Sequence, residues 1–422
     1  MAASRVAVVG AGLAGLAAAL DLKDAGCEVE VFERSRLLGG RATSFVVNGH
    51  EVDNGQHVFL GCCDAFIDFV RRTGMGDALY LQERFEVVAL RQGVSARLRA
   101  AALPAPWHLA ASFAGYRHLS LGARLAVARA LFGVRSANTF EGSFAEWLVR
   151  ERQTPQTVTA FWEPFVVPAL NAPLERVSAA DAAFVLETAF LSDPSAARFG
   201  WCTVPLAHVA AAAAGRADAF HLSSGVTAVE PSGKSVRLSL LDGSAHAFDA
   251  VVLAVAPPQL ARMLDDPAQL GLRGLEFFEP FPIVDVHLWY DGPDVDFTFA
   301  ALLESPLQWI FRKGAGYLCC SASAADNMLT VPTSEVVARC WAEVRRAVAA
   351  LAGAALRSSA VTRNPAATFL PQKGGTRPGA ATADPRVAVA GSWTATGWPD
   401  TMESAVRSGR AAARALRNHL PS

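Results

Sequence analysis

The chain has 422 residues, of which 52% are hydrophobic and 18% charged, and its formal net charge is -1 at pH 7. This length suffices for two domains with a large core, and the balanced charge argues against a nucleic-acid partner. The seven cysteines form no CxxC pair and have no histidine at metal-ligand spacing, so they predict reduced thiols of a cytosolic protein and no metal site.

The first segment has the order strand, glycine loop, helix, strand and acid. An apolar strand over 5–9 leads into a GxGxxG loop, a helical Leu/Ala run and a second strand over 28–32 that ends on Glu33. Such glycines allow a tight turn, close approach to a pyrophosphate and close helix packing, while the acid accepts from a ribose hydroxyl. The pattern predicts a dinucleotide site rather than an ordinary glycine-rich turn, and the immediate strand predicts no export signal. The residues expected to bind the nucleotide are Gly10, Gly12, Leu13, Ala14, Gly15, Glu33 and Arg34.

Two further segments indicate that the nucleotide is FAD. Gly39-Gly40-Arg41 follows Glu33 closely, and a late strand over 387–390 ends on Gly391 before a helix over 402–416. A flavin needs this distant second segment, because its ribityl chain extends past the pyrophosphate to the isoalloxazine ring. We expect Gly40, Arg41 and Gly391 to bind FAD, and the helix start at Thr401 and Met402 to direct backbone N–H groups at the flavin. A flexible turn with a solvated arginine is the alternative for the first segment.

The order of elements predicts a discontinuous nucleotide-binding domain formed by 1–80, 200–262 and 384–422. Strand-like alternation near Val226 and an Asp242-Gly243 hairpin turn support the middle piece. The intervening segments 81–199, mainly helical, and 263–383, which carries strands such as 283–290, would form a substrate-binding domain.

Aromatic residues, leucines and arginines alternate over residues 103–135. Such an amphipathic, basic stretch favours docking of these helices on an anionic membrane, whereas a helix packed on its own domain with solvated arginines is the alternative. No apolar run reaches the ~20 residues needed to span a bilayer.

Several longer motifs carry a family resemblance that covers nearly the whole chain. They are Val52-Asp53-Asn54-Gly55-Gln56-His57, Trp162-Glu163-Pro164, Ala169-Leu170-Asn171-Ala172-Pro173, Ala390-Gly391-Ser392-Trp393-Thr394-Ala395-Thr396-Gly397-Trp398-Pro399 and Met402-Glu403. On these the chain resembles the FAD-dependent amine oxidase and phytoene desaturase superfamily, and more closely the squalene-associated FAD-dependent desaturases, the hydroxysqualene dehydroxylases of bacterial hopanoid pathways. Ser392 and Ser404 depart from the family, which usually has an acid and a glycine there.

The resemblance implies an α/β fold of the GR2 flavoprotein type. A discontinuous Rossmann-like FAD-binding domain would join an α+β substrate-binding domain, with a mixed sheet plus helices. It also implies that hydroxysqualene is reduced to squalene, with hydride from FAD replacing the hydroxyl group and water leaving. The protein would be cytoplasmic and peripheral on the inner face of the cytoplasmic membrane, coupled to squalene-synthase-like enzymes. Further FAD-binding residues implied are Gly55, Gln56, His57, Val226, Ser392 and Trp398.

Loss of hydroxide from an allylic carbon requires a proton donor, because water is the better leaving group. His57 and Glu163 are the leading candidates, followed by Asp53, with Asp400 also available. Asp53 could instead cap a helix near residue 64, and Glu163 could cap its own helix or pair with an arginine. The residues expected to line the substrate pocket are Trp162, Asn171, Trp393 and Trp398, whose aromatic members could face an allylic cation or simply pack in the core.

Three other functions remain open. A carotenoid-type polyprenyl desaturase would use the same pocket in the opposite redox direction. A flavin amine oxidase would place a second aromatic residue at Thr401 and a lysine on a substrate-domain strand, and the strand over 283–290 has none. A non-enzymatic prenyl-group escort of this fold would not need the motif at 391–409.

Overall fold

The computed structural model describes residues 3–372 and 375–420. The strands in this part of the chain are β1 (Arg5–Val9), β2 (Glu28–Phe32), β3 (Ser44–Val47), β4 (His50–Asp53), β5 (Phe59–Leu60), β6 (Leu79–Leu81), β7 (Glu86–Arg91), β8 (Val94–Arg99), β9 (Phe199–Cys202), β10 (Ala219–His221), β11 (Val226–Ser232), β12 (Ser235–Leu240), β13 (Ala245–Phe248), β14 (Ala250–Leu253), β15 (Phe278–Asp291), β16 (Phe299–Leu302), β17 (Trp309–Gly314), β18 (Tyr317–Ser323), β19 (Ala355–Pro371) and β20 (Val387–Val389). The helices are α1 (Leu13–Asp24), α2 (Asp64–Arg72), α3 (Ala110–Ala114), α4 (Leu121–Gly133), α5 (Phe144–Arg150), α6 (Pro155–Thr157), α7 (Glu163–Leu170), α8 (Ala179–Leu186), α9 (Leu206–Ala214), α10 (Pro257–Met263), α11 (Thr333–Ala347) and α12 (Met402–Arg417).

A five-stranded parallel sheet forms the nucleotide-binding half, in the order β10-β2-β1-β14-β20. Its central strands are almost continuous runs of buried valine and alanine, as expected for a parallel sheet covered on both faces. Helix α12 returns from the far end of the chain to pack on α1, and Gly409 permits the approach, because a Cβ there would lie 2.1 Å from the Ala14 carbonyl oxygen. The predicted strands at 5–9 and 28–32 are confirmed.

The second half contains a seven-stranded mixed sheet in the order β19-β15-β18-β17-β16-β7-β8. Most pairs are antiparallel, while β16 and β7 pair in parallel. Strands β15 and β19 are long and pair along most of their length, and α11 packs against both. The mixed sheet plus helices agree with the α/β fold class expected from the sequence. The exact domain limits proposed above remain a prediction.

The helices between β8 and β9 pack around a large aromatic core. Trp162 is 0% exposed among Phe144, Trp147 and Phe161, and its Nε1 donates to Gln153 Oε1 at 3.0 Å. Trp162 therefore has no surface open to a pocket in this structure, and its predicted contact with substrate stays a prediction. It is a core residue.

Asn171 is likewise a structural residue rather than a pocket residue. It ends α7 in the left-handed conformation (φ 50°) and is 2% exposed. Its amide nitrogen donates to the Phe281 carbonyl at 3.1 Å and to Thr368 Oγ1 at 2.9 Å, and its Oδ1 accepts from the Ala324 N–H at 2.8 Å. The side chain therefore joins the helical region to β15, β19 and the end of β18.

No helix within the described ranges is long and apolar enough to cross a membrane.

Replacing Asn171 by alanine should destabilise the protein by about 3 kcal/mol, because three buried hydrogen-bonding groups would lose their partner. Thermal or urea unfolding of the purified variant measures this. Asn138→Ala provides the control, since Asn138 is exposed and bonds only to Glu187, and it should change stability by less than about 0.5 kcal/mol. Equal stability of both variants would contradict the structural role of Asn171.

Candidate functional site

The carboxyl ends of four parallel strands meet at one edge of the five-stranded sheet. Gly10 follows β1, Glu33 follows β2, Ala254 follows β14 and Ala390 follows β20. The Gly10 N–H donates to the Phe32 carbonyl at 2.8 Å, and the Ala390 N–H donates to the Leu253 carbonyl at 3.0 Å. Ligands of open α/β sheets bind at such an edge, so the fold brings the two predicted FAD-binding segments to one place.

The three glycines of the loop differ in the room around them. A Cβ on Gly10 or Gly15 would lie 2.4 Å from the Ala254 oxygen or 1.9 Å from the Gly10 oxygen, so those two positions admit only glycine. A Cβ on Gly12 would meet protein atoms only at 3.9 Å or more. The fold therefore does not require glycine at position 12, and the open space beside this position, at the start of α1, fits a pyrophosphate.

Glu33 holds the loop from the neighbouring strand. Its Oε2 accepts from the Ala11 N–H and its Oε1 from the Ser35 N–H, both at 2.8 Å, and the residue is buried. These two N–H groups orient the carboxylate, which retains acceptor capacity for ribose hydroxyls. Next to it, Arg34 lies against the turn before β11, where a Cβ on Gly225 would be 3.5 Å from the Arg34 Cβ. Arg34 and Val226 therefore lie close together at this edge of the sheet, which is required if both contact the adenosine part of FAD.

Arg41 links the first FAD segment to the second. Its guanidinium donates to Ser392 Oγ at 2.6 Å, to the Ala367 carbonyl at 2.7 Å and to the carboxylate of Asp400. Asp400 also accepts from the Phe369 N–H at 2.7 Å, so this acid joins Arg41 to β19. Gly40 touches the loop directly, since a Cβ there would lie 3.1 Å from the Gly12 Cα.

The two departures from the family pattern contact each other. Ser404 Oγ donates to the Ser392 carbonyl at 3.0 Å and shares a hydrogen bond with Thr396 Oγ1 at 2.6 Å. Thr401 caps α12, since its Oγ1 accepts from the Ser404 N–H. The Ser404 hydroxyl thus finds its partners in the segment before the helix, while the Ser392 hydroxyl accepts from Arg41.

The two predicted tryptophans of this segment have different environments. Trp393 is 1% exposed, donates to the Val255 carbonyl and packs on Phe278, as a core residue does, so its place in a substrate pocket stays a prediction. Trp398 is partly accessible and packs against Phe184 of α8 and under Arg407. Trp398, Thr401 and Met402 keep some accessible surface near the helix start.

Asp53 lies at the start of a helix, and its predicted role as an acid stays a prediction. Its Oδ1 accepts from Ser44 Oγ at 2.6 Å and from the Leu206 N–H at 2.9 Å, at the start of α9. Ser44 in turn accepts from the next N–H of that helix. Both hydrogen bonds hold the carboxylate at the start of α9, where a side-chain acceptor satisfies an N–H group of the first helical turn. The helix it caps is α9, not the helix near residue 64.

The rest of the loop after β4 faces the seven-stranded sheet. The Gln56 N–H donates to Asp285 Oδ1 at 3.3 Å, and a Cβ on Gly55 would lie 3.2 Å from Asp285 Oδ2 and 3.9 Å from His57 Nε2. His57 is half-buried, and its Nε2 is buried with no hydrogen-bond partner in the described part of the chain. Burial lowers the pKa of His57, and the charge of Asp53 opposes this effect. The ring is therefore neutral at pH 7.

Asp285 is a site residue that the sequence reasoning missed. It lies in the middle of β15, is 1% exposed, and its pKa is raised to about 7 because it is buried, although Ser321 and the Gln56 N–H favour its ionised form. Two residues on, His287 shares the same face, and its Nδ1 is 2.8 Å from Tyr317 Oη. The signal was an acid and a histidine two positions apart in an otherwise apolar strand, which places both on one face of the sheet.

Among the described residues, no contact joins Glu163 to the cluster of Asp285, His57 and His287. It begins α7, it is largely exposed, and its pKa is raised by partial desolvation and then by the charge of Glu175. Its predicted role as a proton donor stays a prediction without a contact that supports it.

Comparison with known proteins places these features in context. The family model described as flavin containing amine oxidoreductase matches residues 13–417. A hydroxysqualene dehydroxylase of Rhodopseudomonas palustris is 28% identical over 97% of either chain, and a zeta-carotene desaturase of Capsicum annuum is 26% identical over 97% of this chain and 80% of its own. The solved structure of putrescine oxidase bound to putrescine superposes with a TM-score of 0.77 at 18% identity, covering 99% of this chain and 100% of its own, which shows the shared fold.

Gly12→Val should give folded but colourless protein, because the new side chain fits the protein yet fills the place of the pyrophosphate. Absorbance in the flavin bands and a thermal melt of the purified variant measure both parts. Gly15→Val is the matched control and should fail to fold, since its Cβ would overlap the Gly10 carbonyl. A Gly12→Val protein with full flavin content would refute this assignment of the loop.

Proposed function

The chain belongs to the flavin containing amine oxidoreductase family, and we propose that it removes the hydroxyl group of hydroxysqualene reductively to give squalene. It is an FAD-dependent oxidoreductase, and the residues around the glycine loop, Glu33 and Arg41 fit that cofactor. When bound, FAD in its reduced form supplies the hydride that replaces the hydroxyl group. The chain itself must bind the polyprenyl alcohol, exclude water and provide a proton.

The observation that carries this proposal is the match in length to hydroxysqualene dehydroxylases. The relative from Rhodopseudomonas palustris is covered over 97% of its length, whereas the carotene desaturase of Capsicum annuum is covered over 80%. A second dehydroxylase, from Sinorhizobium fredii, is 29% identical and also covered over 97%. These values favour the dehydroxylase over the carotenoid-type desaturase.

The polar cluster at the junction of the two halves also supports a reaction that consumes a proton. Loss of hydroxide as water needs an acid near the reacting carbon, and burial keeps part of Asp285 protonated at neutral pH. A desaturase removes hydride from its substrate and needs no such donor of protons to a leaving group. Within the cluster we assign proton delivery to His57, whose half-buried ring lies on the loop beside the FAD segments.

Anaerobic incubation with hydroxysqualene and chemically reduced flavin, followed by mass spectrometry, tests the reaction, and squalene is the expected product. His57→Ala should retain FAD and be reducible, yet form squalene at least ~10²-fold more slowly. His208→Ala is the matched control, since His208 is exposed and pairs with Glu51, and it should keep full activity. Absence of squalene from the wild-type protein, with dehydrogenation of a carotenoid precursor by its oxidised form, would establish the desaturase instead.

We also propose that the protein docks on the inner face of the cytoplasmic membrane, where its apolar substrate dissolves. Only part of the stretch 103–135 is available, because Tyr116 and Leu119 are buried in the core. The exposed apolar side chains form the docking surface and comprise Leu103, Trp107, Leu121, Leu125 and Phe132. The Trp107 and Phe132 rings are 6.0 Å apart, which joins the turn before α3 to α4 in one surface.

The charge around the docking surface supports an anionic partner. Between Glu86 and Glu141 the sequence has no acidic residue, and the exposed arginines of this stretch include Arg117, Arg129 and Arg135. Basic side chains beside exposed apolar ones favour an anionic lipid surface over a neutral one. A membrane-bound enzyme of this kind would receive its substrate from squalene-synthase-like enzymes.

Leu125→Glu should reduce sedimentation with vesicles of phosphatidylglycerol and phosphatidylethanolamine about tenfold or more, because burying a leucine contributes about 1.5–3 kcal/mol. Leu241→Glu is the control, since Leu241 is exposed in the turn between β12 and β13, and it should not change binding. Equal binding of the wild-type protein to anionic and neutral vesicles would contradict the docking surface.

A further inference from the structure

We propose that Asp285 is the internal proton source of this site and that it acts through His57, across the room left by Gly55. This role rests on the proposed function, because it assigns the proton that the dehydroxylation consumes. Asp285 is a positioning residue in this scheme, since it is covered by the loop and reaches the substrate only through the imidazole.

The geometry of Gly55 carries the proposal. Asp285 Oδ1 accepts from the Gln56 N–H, which leaves Oδ2 directed at the position that a side chain on residue 55 would take, 3.2 Å away. His57 Nε2 lies 3.9 Å from the same position. Because residue 55 is glycine, no side chain of its own fills the room between the carboxyl oxygen and the ring nitrogen. The two atoms form no direct hydrogen bond, so in this scheme one water molecule in that room passes the proton between them.

His57 is suited to pass a proton across this gap. Its Nε2 is buried and has no partner among the described residues, although buried ring nitrogens are normally satisfied. The residue as a whole keeps some accessible surface, whereas Nε2 has none. An imidazole can accept a proton at one nitrogen and release one from the other, which a carboxylate fixed under the loop cannot do.

The groups that face Asp285 from the neighbouring elements set its protonation. Burial favours the neutral acid, as does the charge of Asp53, while the hydrogen bond from Ser321, the Gln56 N–H and the charge of Lys313 favour the ionised form. The titratable groups near it are Asp53 of β4, Lys313 of β17, Tyr317, Cys319 and Cys320 of β18, His57 of the loop and His287 on the same face of β15. Burial lowers the pKa of His287 to about 4 and raises the pKa of Tyr317 and Cys319, so Asp285 is the group of this set poised to release a proton near pH 7.

The step balances in atoms and charge. The C–O bond of the substrate breaks and its oxygen leaves as water with a proton released from Nδ1 of His57, while Nε2 accepts the proton of Asp285, so the ring stays neutral and Asp285 ends as the carboxylate. The carbon would take the hydride that FAD in its reduced form supplies when bound. Asp285 recovers its proton from solvent after product release, and a two-electron donor restores the reduced flavin.

Histidine NMR of the flavin-loaded protein tests the link between the two residues without substrate. In protein labelled with ¹⁵N-histidine, the His57 signals, identified by their absence in His57→Gln, should shift with a midpoint near pH 7. Asp285→Asn should abolish that midpoint, and Gly55→Ala should weaken it by filling the gap. Asp291→Asn is the control, because Asp291 ends the same strand, is half-exposed and pairs with Arg357, and it should leave the midpoint in place. A His57 titration unchanged in Asp285→Asn overturns the proposal, whatever the substrate.

Turnover provides the second readout once squalene formation is established. Wild-type turnover should fall above pH 7 as Asp285 loses its proton, whereas Asp285→Asn should be at least ~10²-fold slower at pH 6 and show no loss through pH 7. Because the two residues act in series, the double variant with His57→Ala should be no slower than the slower single variant. Additive losses in the double variant would overturn the relay and leave Asp285 a structural residue.

Discussion

The burial of Asp285 beneath the Gly55-Gln56-His57 loop is the constraint on which the rest of the site depends. A carboxyl group with almost no access to water is costly unless it is neutral or hydrogen-bonded. Here it takes one backbone N–H from the loop of the nucleotide-binding half while it lies on β15 of the seven-stranded sheet. This acid thus contributes to the contact between the two halves, and its burial there raises its pKa to about 7.

In the nucleotide-binding half, too, contacts of single residues with backbone groups hold the site together. Glu33 holds the glycine loop through the Ala11 N–H, and Gly15 packs against the Gly10 carbonyl so closely that no side chain fits. Arg41 then ties this loop to Ser392 and Asp400, more than 350 positions later in the chain. The discontinuous FAD segments therefore meet because the parallel strands β1 and β20 end at the same edge of one sheet.

Local features could be predicted from the sequence, and features that depend on distant packing could not. The strand at 5–9, the glycine loop and Glu33 form one continuous pattern whose geometry follows from its own residue types. Asn171 and Trp162 lie in motifs that suggested substrate contact, but spacing does not tell which side of a helix faces the core. Asp285 was missed because its partner Gln56 is 229 positions away, and only the pairing of β15 with its neighbours directs the acid toward the loop.

Anaerobic single turnover tests the central claim most directly. Flavin-reduced protein mixed with hydroxysqualene should regain the absorbance of oxidised flavin and form one squalene per flavin, faster at pH 6 than at pH 8. Reoxidation without squalene, or none at all with substrate bound, would contradict a reductive dehydroxylation at this site.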